Sequence, residues 1–219
     1  MRFLEKKRTL QKNTKSVILE AAENLFSKNG FRRTSIKLIA KSAGVNIAAV
    51  NYHFGSKYSL IEMVIKRRFV PINEQRIERL KKISDSYHLT KIKPSINEIL
   101  YAYIEPLFSS YTNKKKSHLS IACQIFLEQD ETILKFFMLL FKESFFLLYQ
   151  LLKETLPNTP ECILSWRVHY AIGSIIYCMR IYSTEFPVPE IAPYQITSLD
   201  EIVNDLTNFI IGGLNAPLK

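Results

Sequence analysis

The chain is poor in the residues that build catalytic and metal centres. Its 219 residues include only three cysteines, four histidines and six glycines. Cys123, Cys162 and Cys178 are odd in number, form no Cys-x-x-Cys pair and sit in apolar surroundings, which leaves no basis for a disulfide framework. They read as reduced core residues of a cytosolic protein, and no recognisable neighbour lowers a thiol pKa to favour a redox role. His53, His88, His118 and His169 show no H-x3-H or H-E-x-x-H spacing, and no glycine-rich phosphate loop or nucleophile elbow occurs. No catalytic residue, metal or cofactor is therefore expected.

Long hydrophobic runs are also missing. The most apolar stretch, Ile133 to Leu152, is interrupted by Lys135, Lys142 and Glu143, short of the roughly 20 apolar residues of a spanning helix. It reads as a buried helix. Met1 to Lys15 is mostly polar and lacks an apolar h-region, so no signal peptide is expected and the location reads as cytoplasmic. No segment alternates apolar and polar residues at a period of two, and no internal repeat is visible, which makes the protein all-α.

What is present is positive charge in one place. The net charge is +10, and residues 1–82 hold 19 Lys+Arg against 6 Asp+Glu, whereas residues 83–219 are net acidic. Basicity confined to one end is the electrostatic footprint of a polyanion partner.

The stretch Ser35 to Lys57, SIKLIAKSAGVNIAAVNYHFGSK, organises that end. Ile36, Ile39, Ala40 and Ala43 share one helical face, with Ser35 as N-cap and lysines opposite. Gly44 falls where this helix should stop, and Val45 supplies the apolar residue that closes a left-handed turn. A second helix is expected from about Asn46 to Phe54. Ala40, Gly44 and Val50 have the spacing of a helix-turn-helix: a small residue at the crossing, a glycine at the turn and a branched residue packing beneath. The second helix would lie in a DNA major groove.

The order Thr34-Ser35, Ile39-Ala40, Ala43-Gly44-Val45, Asn51-Tyr52-His53-Phe54 and Ser56-Lys57 with Leu60 resembles the DNA-binding domain of TetR-family transcriptional regulators over about Lys15 to Leu60. The rest of the chain resembles the family in length, helical character and ending. Lys37 stands where many members carry an acidic residue, and opposes the helix dipole by about 0.3–1 kcal/mol unless a phosphate compensates. Ala48 and Asn51 stand where many members have a glycine and an aromatic, so base preference does not carry over.

The resemblance implies an N-terminal three-helix helix-turn-helix DNA-binding domain and a larger C-terminal helical domain for ligand binding and dimerisation. Asn46, Ala48, Ala49, Asn51 and His53 are expected to project from the recognition helix, where Asn can pair with adenine edges and Ala methyls can meet thymine methyls. Thr34, Ser35, Lys37, Tyr52 and Lys57 are candidates for phosphate contacts; in relatives, positions matching Thr34, Tyr52 and Lys57 commonly serve this way. His53 equally fits packing and hydrogen bonding within the domain.

Residues 1–13 read as a basic arm, either solvated or adding phosphate contacts. Residues 14–60 read as the DNA-binding domain, opened by a helix over Thr14–Lys28 with Ile18, Ala22, Leu25 and Phe26 inward. A long connecting helix, about residues 56–84, is expected to be capped by Ser56 and kinked near Phe69-Val70 by Pro71. Residues 85–219, starting with a loop over 85–94, read as the second domain. Its helices are expected near Ser95–Tyr111, His118–Gln129, Thr132–Leu156, Pro160–Thr184 and Leu199–Leu214, with loops at Thr112–Ser117 and Glu185–Thr197.

Tyr103, Phe108, Phe126, Phe137, Phe141, Phe145, Tyr149, Trp166, Tyr170 and Tyr177 are candidates to line an effector pocket, or else simply core. Ile172, Gly173, Ile176, Met179, Ile202, Leu206, Phe209 and Ile210 are candidates for the family's four-helix dimer interface, or pack on their own domain. The combined reading is a homodimeric transcriptional regulator. It would act as a repressor, released from a palindromic double-stranded DNA operator by a small, largely apolar or aromatic effector, with no membrane partner. One alternative keeps the DNA binding but places it under a protein partner; another, of a different class, is an enzyme or carrier using the aromatic domain.

Overall fold

The computed structural model describes the backbone of residues 2–109, 117–183 and 198–218, and these residues form ten α-helices and no strand. They are α1 (Arg2–Arg33), α2 (Ile36–Ala43), α3 (Ile47–Phe54), α4 (Lys57–Thr90), α5 (Ile96–Ser109), α6 (Ser117–Glu128), α7 (Glu131–Leu140), α8 (Lys142–Thr155), α9 (Glu161–Ser183) and α10 (Leu199–Leu214). The expected loop at 112–117 lies, but for Ser117, outside the described residues, as does 185–197.

Three boundaries differ from the sequence reading. The residues read as a basic arm continue α1, which begins at Arg2. Helix α4 runs through Pro71 and on to Thr90, so the loop expected over 85–94 shrinks to its last few residues. Phe69, Ile72 and Asn73 are buried around the exposed proline, and their packing holds the helix together where one hydrogen bond is lost. The helix expected over Thr132–Leu156 is divided at Phe141, whose φ of −97° and ψ of 2° leave the helical range. Hydrophobic periodicity did not register this break because Phe141 is itself apolar.

The chain forms two compact units, one of residues 1–69 and 117–137, the other of residues 70–116 and 138–219. The boundary in α4 therefore falls just before Pro71. Residues 117–137, read from the sequence as part of the second domain, belong to the first unit because α6 packs on α1. Helix α6 buries Leu119, Ile121, Ala122 and Ile125, and α1 buries Ile18, Ala22 and Phe26. Arg68 of α4 pairs with the buried Glu23 of α1, and Arg67 pairs with Glu20 at 3.4 Å.

In the second unit α5 packs against α8 and α10, and α9 against α8 and α10. Ile99, Ile104, Phe108, Leu148, Leu152, Leu164, Val168 and Ile210 are buried there. Arg76 is buried too; its Nε donates to the Tyr103 carbonyl at 2.6 Å and its guanidinium lies 4.0 Å from the centre of the Tyr103 ring. Burial pulls the Arg76 pKa down, and the aromatic face supplies part of the lost hydration.

Candidate nucleic-acid interface

The turn between α2 and α3 is built as its residue types require. The Ser35 hydroxyl accepts from the Leu38 amide at 3.1 Å and starts α2; Gly44, at φ 66° and ψ 30°, ends it, and the Val45 amide returns to the Ala40 carbonyl at 3.0 Å. Asn46 Oδ1 then accepts from the Ala49 amide at 2.7 Å and starts α3, while Ile39, Ala40, Val50 and Phe54 are buried beneath. The Ser56 hydroxyl accepts from the Ser59 amide at 3.0 Å at the head of α4.

Most of the residues selected for DNA contact sit on the outer face. Ser35, Lys37, Asn46, Ala48, Asn51 and Tyr52 are exposed, with Tyr52 at 76%. Ala49, His53 and Lys57 are half-buried, and the His53 ring lies 5.2 Å from that of Tyr52 and 6.3 Å from that of Phe54.

Thr34 is the exception. It is fully buried, and its hydroxyl donates to the Gly30 carbonyl at 2.7 Å and toward the Leu25 carbonyl at 3.3 Å. It ties the end of α1 to the start of α2 and offers no surface to a phosphate. Asn46 is likewise engaged through Oδ1 as a cap, which leaves its amide nitrogen as the free donor for a base edge. Sequence reading passed over Ile47, exposed on the first turn of α3 beside Ala48; its place immediately after the cap was the available signal.

Two carboxylates at the α6–α7 corner hold this head, and nothing local in the sequence announces them. Glu128 accepts from the Phe31 amide at 2.5 Å and from the Arg32 amide at 2.9 Å. Asp130 accepts from the Tyr58 hydroxyl at 2.9 Å while also capping α7 through the Thr132 and Ile133 amides at 3.1 Å. The amide of Ile133, with smaller help from Tyr58, holds the Asp130 pKa below the usual carboxylate range. The hydrogen bond to Asp130 in turn raises that of Tyr58.

Of the aromatics selected as pocket lining, Phe145 and Tyr149 share one groove in the second unit, and the others do not join them there. Phe126 and Phe137 lie in the first unit, where the Phe137 ring meets Phe126 at 5.8 Å and Phe69 at 5.1 Å, both edge-on. Tyr103 and Phe108 are buried core of the second unit, and Phe141, Phe145 and Tyr149 are half-buried there. Trp166, Tyr170 and Tyr177 point outward from α9, the first two 63% and 66% exposed. Apolar character alone could not tell a buried face from one left open.

Of the residues selected for the dimer interface, Met179 and Ile210 are buried within their own unit. Gly173 and Phe209 are exposed, and Ile172, Ile176, Ile202 and Leu206 are half-buried. Among the thiols, Cys123 is buried and burial lifts the pKa of Cys178 to about 11, but Cys162 is exposed, contrary to its reading as core. Among the described residues no group of His, Cys, Asp and Glu could hold a metal ion, and no helix is long and apolar enough to cross a membrane.

Residues 18–64 match the family profile described as "Bacterial regulatory proteins, tetR family". Residues 101–213, more than half of the chain, match "Tetracyclin repressor-like, C-terminal domain". The chain belongs to the TetR family. The chain is 45% identical over 53 residues to the "Probable HTH-type transcriptional regulator YttP" of Bacillus subtilis, covering 24% of this chain and 26% of that protein. It is 37% identical over 63 residues to the HTH-type transcriptional regulator UidR of Escherichia coli, covering 29% and 32%. The chain thus spans about a quarter to a third of the length of these relatives. A TetR-like regulator from Rhodococcus sp. RHA1 shares the fold, with a TM-score of 0.63 and 18% identity over 93% of this chain and 97% of that one. The TetR-family regulator PfmR of Thermus thermophilus gives a TM-score of 0.60 at 16% identity over 91% and 99%.

Proposed function

We propose that this TetR-family chain is a cytoplasmic, homodimeric repressor of transcription that binds a palindromic operator and is released from it by a small, largely apolar or aromatic effector. The observation that carries the reading is the outer face of α3, where Ile47, Ala48, Asn51 and Tyr52 stand exposed on a buried Val50–Phe54 underside between two capped helix starts. Asn51 would read a base edge, Ile47 and Ala48 would meet thymine methyls, and Ser35, Lys37, Tyr52 and Lys57 would grip phosphates on either side.

Dimerisation is supported by α9 and α10. Trp166, Tyr170, Gly173 and Tyr177 fall on one face of α9 at helical spacing, all exposed, and Phe209 of α10 is 69% exposed. Among the described residues, a side chain at Gly173, Gly212 or Gly213 would meet nothing within 4 Å. Glycine inside a helix costs roughly 0.5–1 kcal/mol, and none of those residues accounts for it at these positions; a partner helix approaching closely would. One head alone touches too few phosphates for specific binding, and two heads match successive major grooves of a palindrome.

A titration of the purified chain on the DNA flanking its own coding region, with random DNA as competitor at matched salt, tests the reading. Binding of a dimer to one palindromic segment well above the random background supports it. Equal affinity for both DNAs would leave a basic head without a specific operator and sink the repressor assignment.

A further inference from the structure

We infer that each operator half-site is built of A·T pairs where α3 enters the major groove, and that Ile47 selects them by packing against a thymine 5-methyl group. The inference rests on the repressor reading above and names the DNA sequence class that this head takes.

Helix α3 reads Ile-Ala-Ala-Val-Asn-Tyr-His-Phe and carries no guanidinium, ammonium or carboxylate. Those are the groups that a G·C pair asks for in the major groove: paired donors from Arg or Lys for guanine O6 and N7, and an acceptor from Asp or Glu for cytosine N4. The nearest lysines stand off the helix. Lys37 and Lys41 are exposed on α2, the helix that crosses the phosphate backbone in this motif, and Lys57 opens α4. They supply affinity that is indifferent to sequence.

What α3 presents instead is apolar surface where base edges are read. The N-terminal residues of a recognition helix reach the bases, and here these are Ile47, 44% exposed, and the exposed Ala48. Val50 and Phe54 are the residues that α3 buries, so the core of the head is closed without Ile47. Thymine is the base that places a methyl group in the major groove, and an isoleucine seated against it removes both from water.

The polar groups of α3 agree with this choice. Asn51 follows Ile47 by one turn on the same face and is exposed, and its carboxamide matches adenine N6 and N7. Asn46, whose Oδ1 caps the helix, keeps a donor that thymine O4 satisfies as well as guanine O6 does. His53 is half-buried beside the rings of Tyr52 and Phe54, at the far end of the helix from Ile47.

The test first lets the intact chain select from a pool of random-sequence duplexes. The enriched duplex is then remade with deoxyuridine for thymidine, one symmetry-related pair of positions at a time, which removes the methyl and keeps the pairing edge. The expected selection is A·T at the centre of each half-site. Uracil at the thymine that Ile47 meets should weaken binding about fourfold for each methyl, about fifteenfold with both half-sites changed. The ratio should be the same at about 50 and 200 mM salt, because no phosphate contact is lost. Ile47→Ala, at an exposed position, should keep its unfolding midpoint, bind the thymine duplex more weakly and bring the thymine and uracil duplexes to near equal affinity. An enriched sequence with G·C at the half-site centres overturns the inference and leaves the regulator standing, whereas a pool with no enriched sequence removes both. A·T enrichment that no uracil position weakens assigns the preference to DNA shape and overturns the methyl contact. A uracil effect that survives Ile47→Ala overturns it as well.

Discussion

The Tyr58 hydroxyl, one residue into α4, donates to Asp130 Oδ2 at 2.9 Å across 72 residues of sequence, and the other oxygen of that carboxyl caps α7. The head of the helix that follows the recognition helix and the start of α7 therefore share one carboxylate. Both ends of the pair titrate, in opposite directions. The Asp130 pKa is depressed, so its contribution to stability is complete above the unfolded value of about 3.9 and is lost as pH falls through the folded value. The Tyr58 pKa is raised, so its contribution is complete below about pH 10 and is lost as pH rises through the folded value. The difference in unfolding midpoint between the unaltered chain and Tyr58→Phe should be constant between about pH 5 and pH 9 and shrink above pH 10. A difference that persists undiminished at higher pH would show that the hydrogen bond is not what the mutation removes. Asp130→Ala should cost more than Tyr58→Phe at neutral pH, about 1 kcal/mol for the cap alone.

Gly30 and Glu128 form a second long-range pair, and a double-mutant cycle isolates it. Gly30 adopts φ 80°, and a β-carbon there would collide with the Glu128 carboxylate that accepts from the Phe31 and Arg32 amides. Gly30→Ala should destabilise the first unit by about 1–2 kcal/mol from the left-handed backbone alone, with the collision added. In a Glu128→Ala background the collision is gone and the same substitution should cost measurably less, with a coupling of about 0.5–3 kcal/mol by chemical denaturation. Strictly additive costs would mean that the two residues do not meet in this way.

Thr34 and Tyr52 should separate stability from recognition. Thr34→Val strands the Gly30 carbonyl and should lower stability by about 1–3 kcal/mol, while the folded protein keeps its operator affinity. Tyr52→Phe should do the reverse, leaving the unfolding midpoint unchanged and weakening DNA binding. Lys57→Ala should flatten the dependence of log affinity on log salt by about one unit for each phosphate that is no longer neutralised. A Thr34→Val protein that is fully stable yet fails to bind would restore Thr34 to the interface.

The helix-turn-helix was legible because every feature that makes it is local. Ser35, Gly44 and Asn46 each act within four residues of their own position, and Val50 packs on the face that its spacing marks. Glu128 and Asp130 were not legible, because their partners lie 97 and 72 residues away and an acidic residue near a helix end has many ordinary reasons to be there. The placement of the aromatics was not legible for another reason. Tyr103 and Tyr170 have the same composition signal, yet one is core and the other surface, a distinction set by which face of a helix its neighbours cover. The break at Phe141 was hidden by a run in which the breaking residue is itself apolar.

The exposed aromatic face of α9 and α10 makes the last prediction. Each large aromatic transferred from water to a packed interface contributes about 1.5–3 kcal/mol, and a two-fold interface counts each residue twice. Phe209→Asp or Tyr170→Asp should therefore raise the dimer dissociation constant by about a hundredfold or more, which is about 2.7 kcal/mol. Because both side chains are exposed within the protomer, helix content and the unfolding of the monomer should change little. Trp166 is the only tryptophan and lies on the same face, its ring stacked 6.0 Å from that of Tyr170, so it reports the association directly. Its emission should shift to longer wavelength on dilution of the unaltered chain and already be shifted at high concentration in the variants. Operator affinity should fall with dimer population, as both heads are required at once. If the variants sediment as dimers with unshifted Trp166 emission, the interface lies on another face and the exposed stripe needs a different occupant.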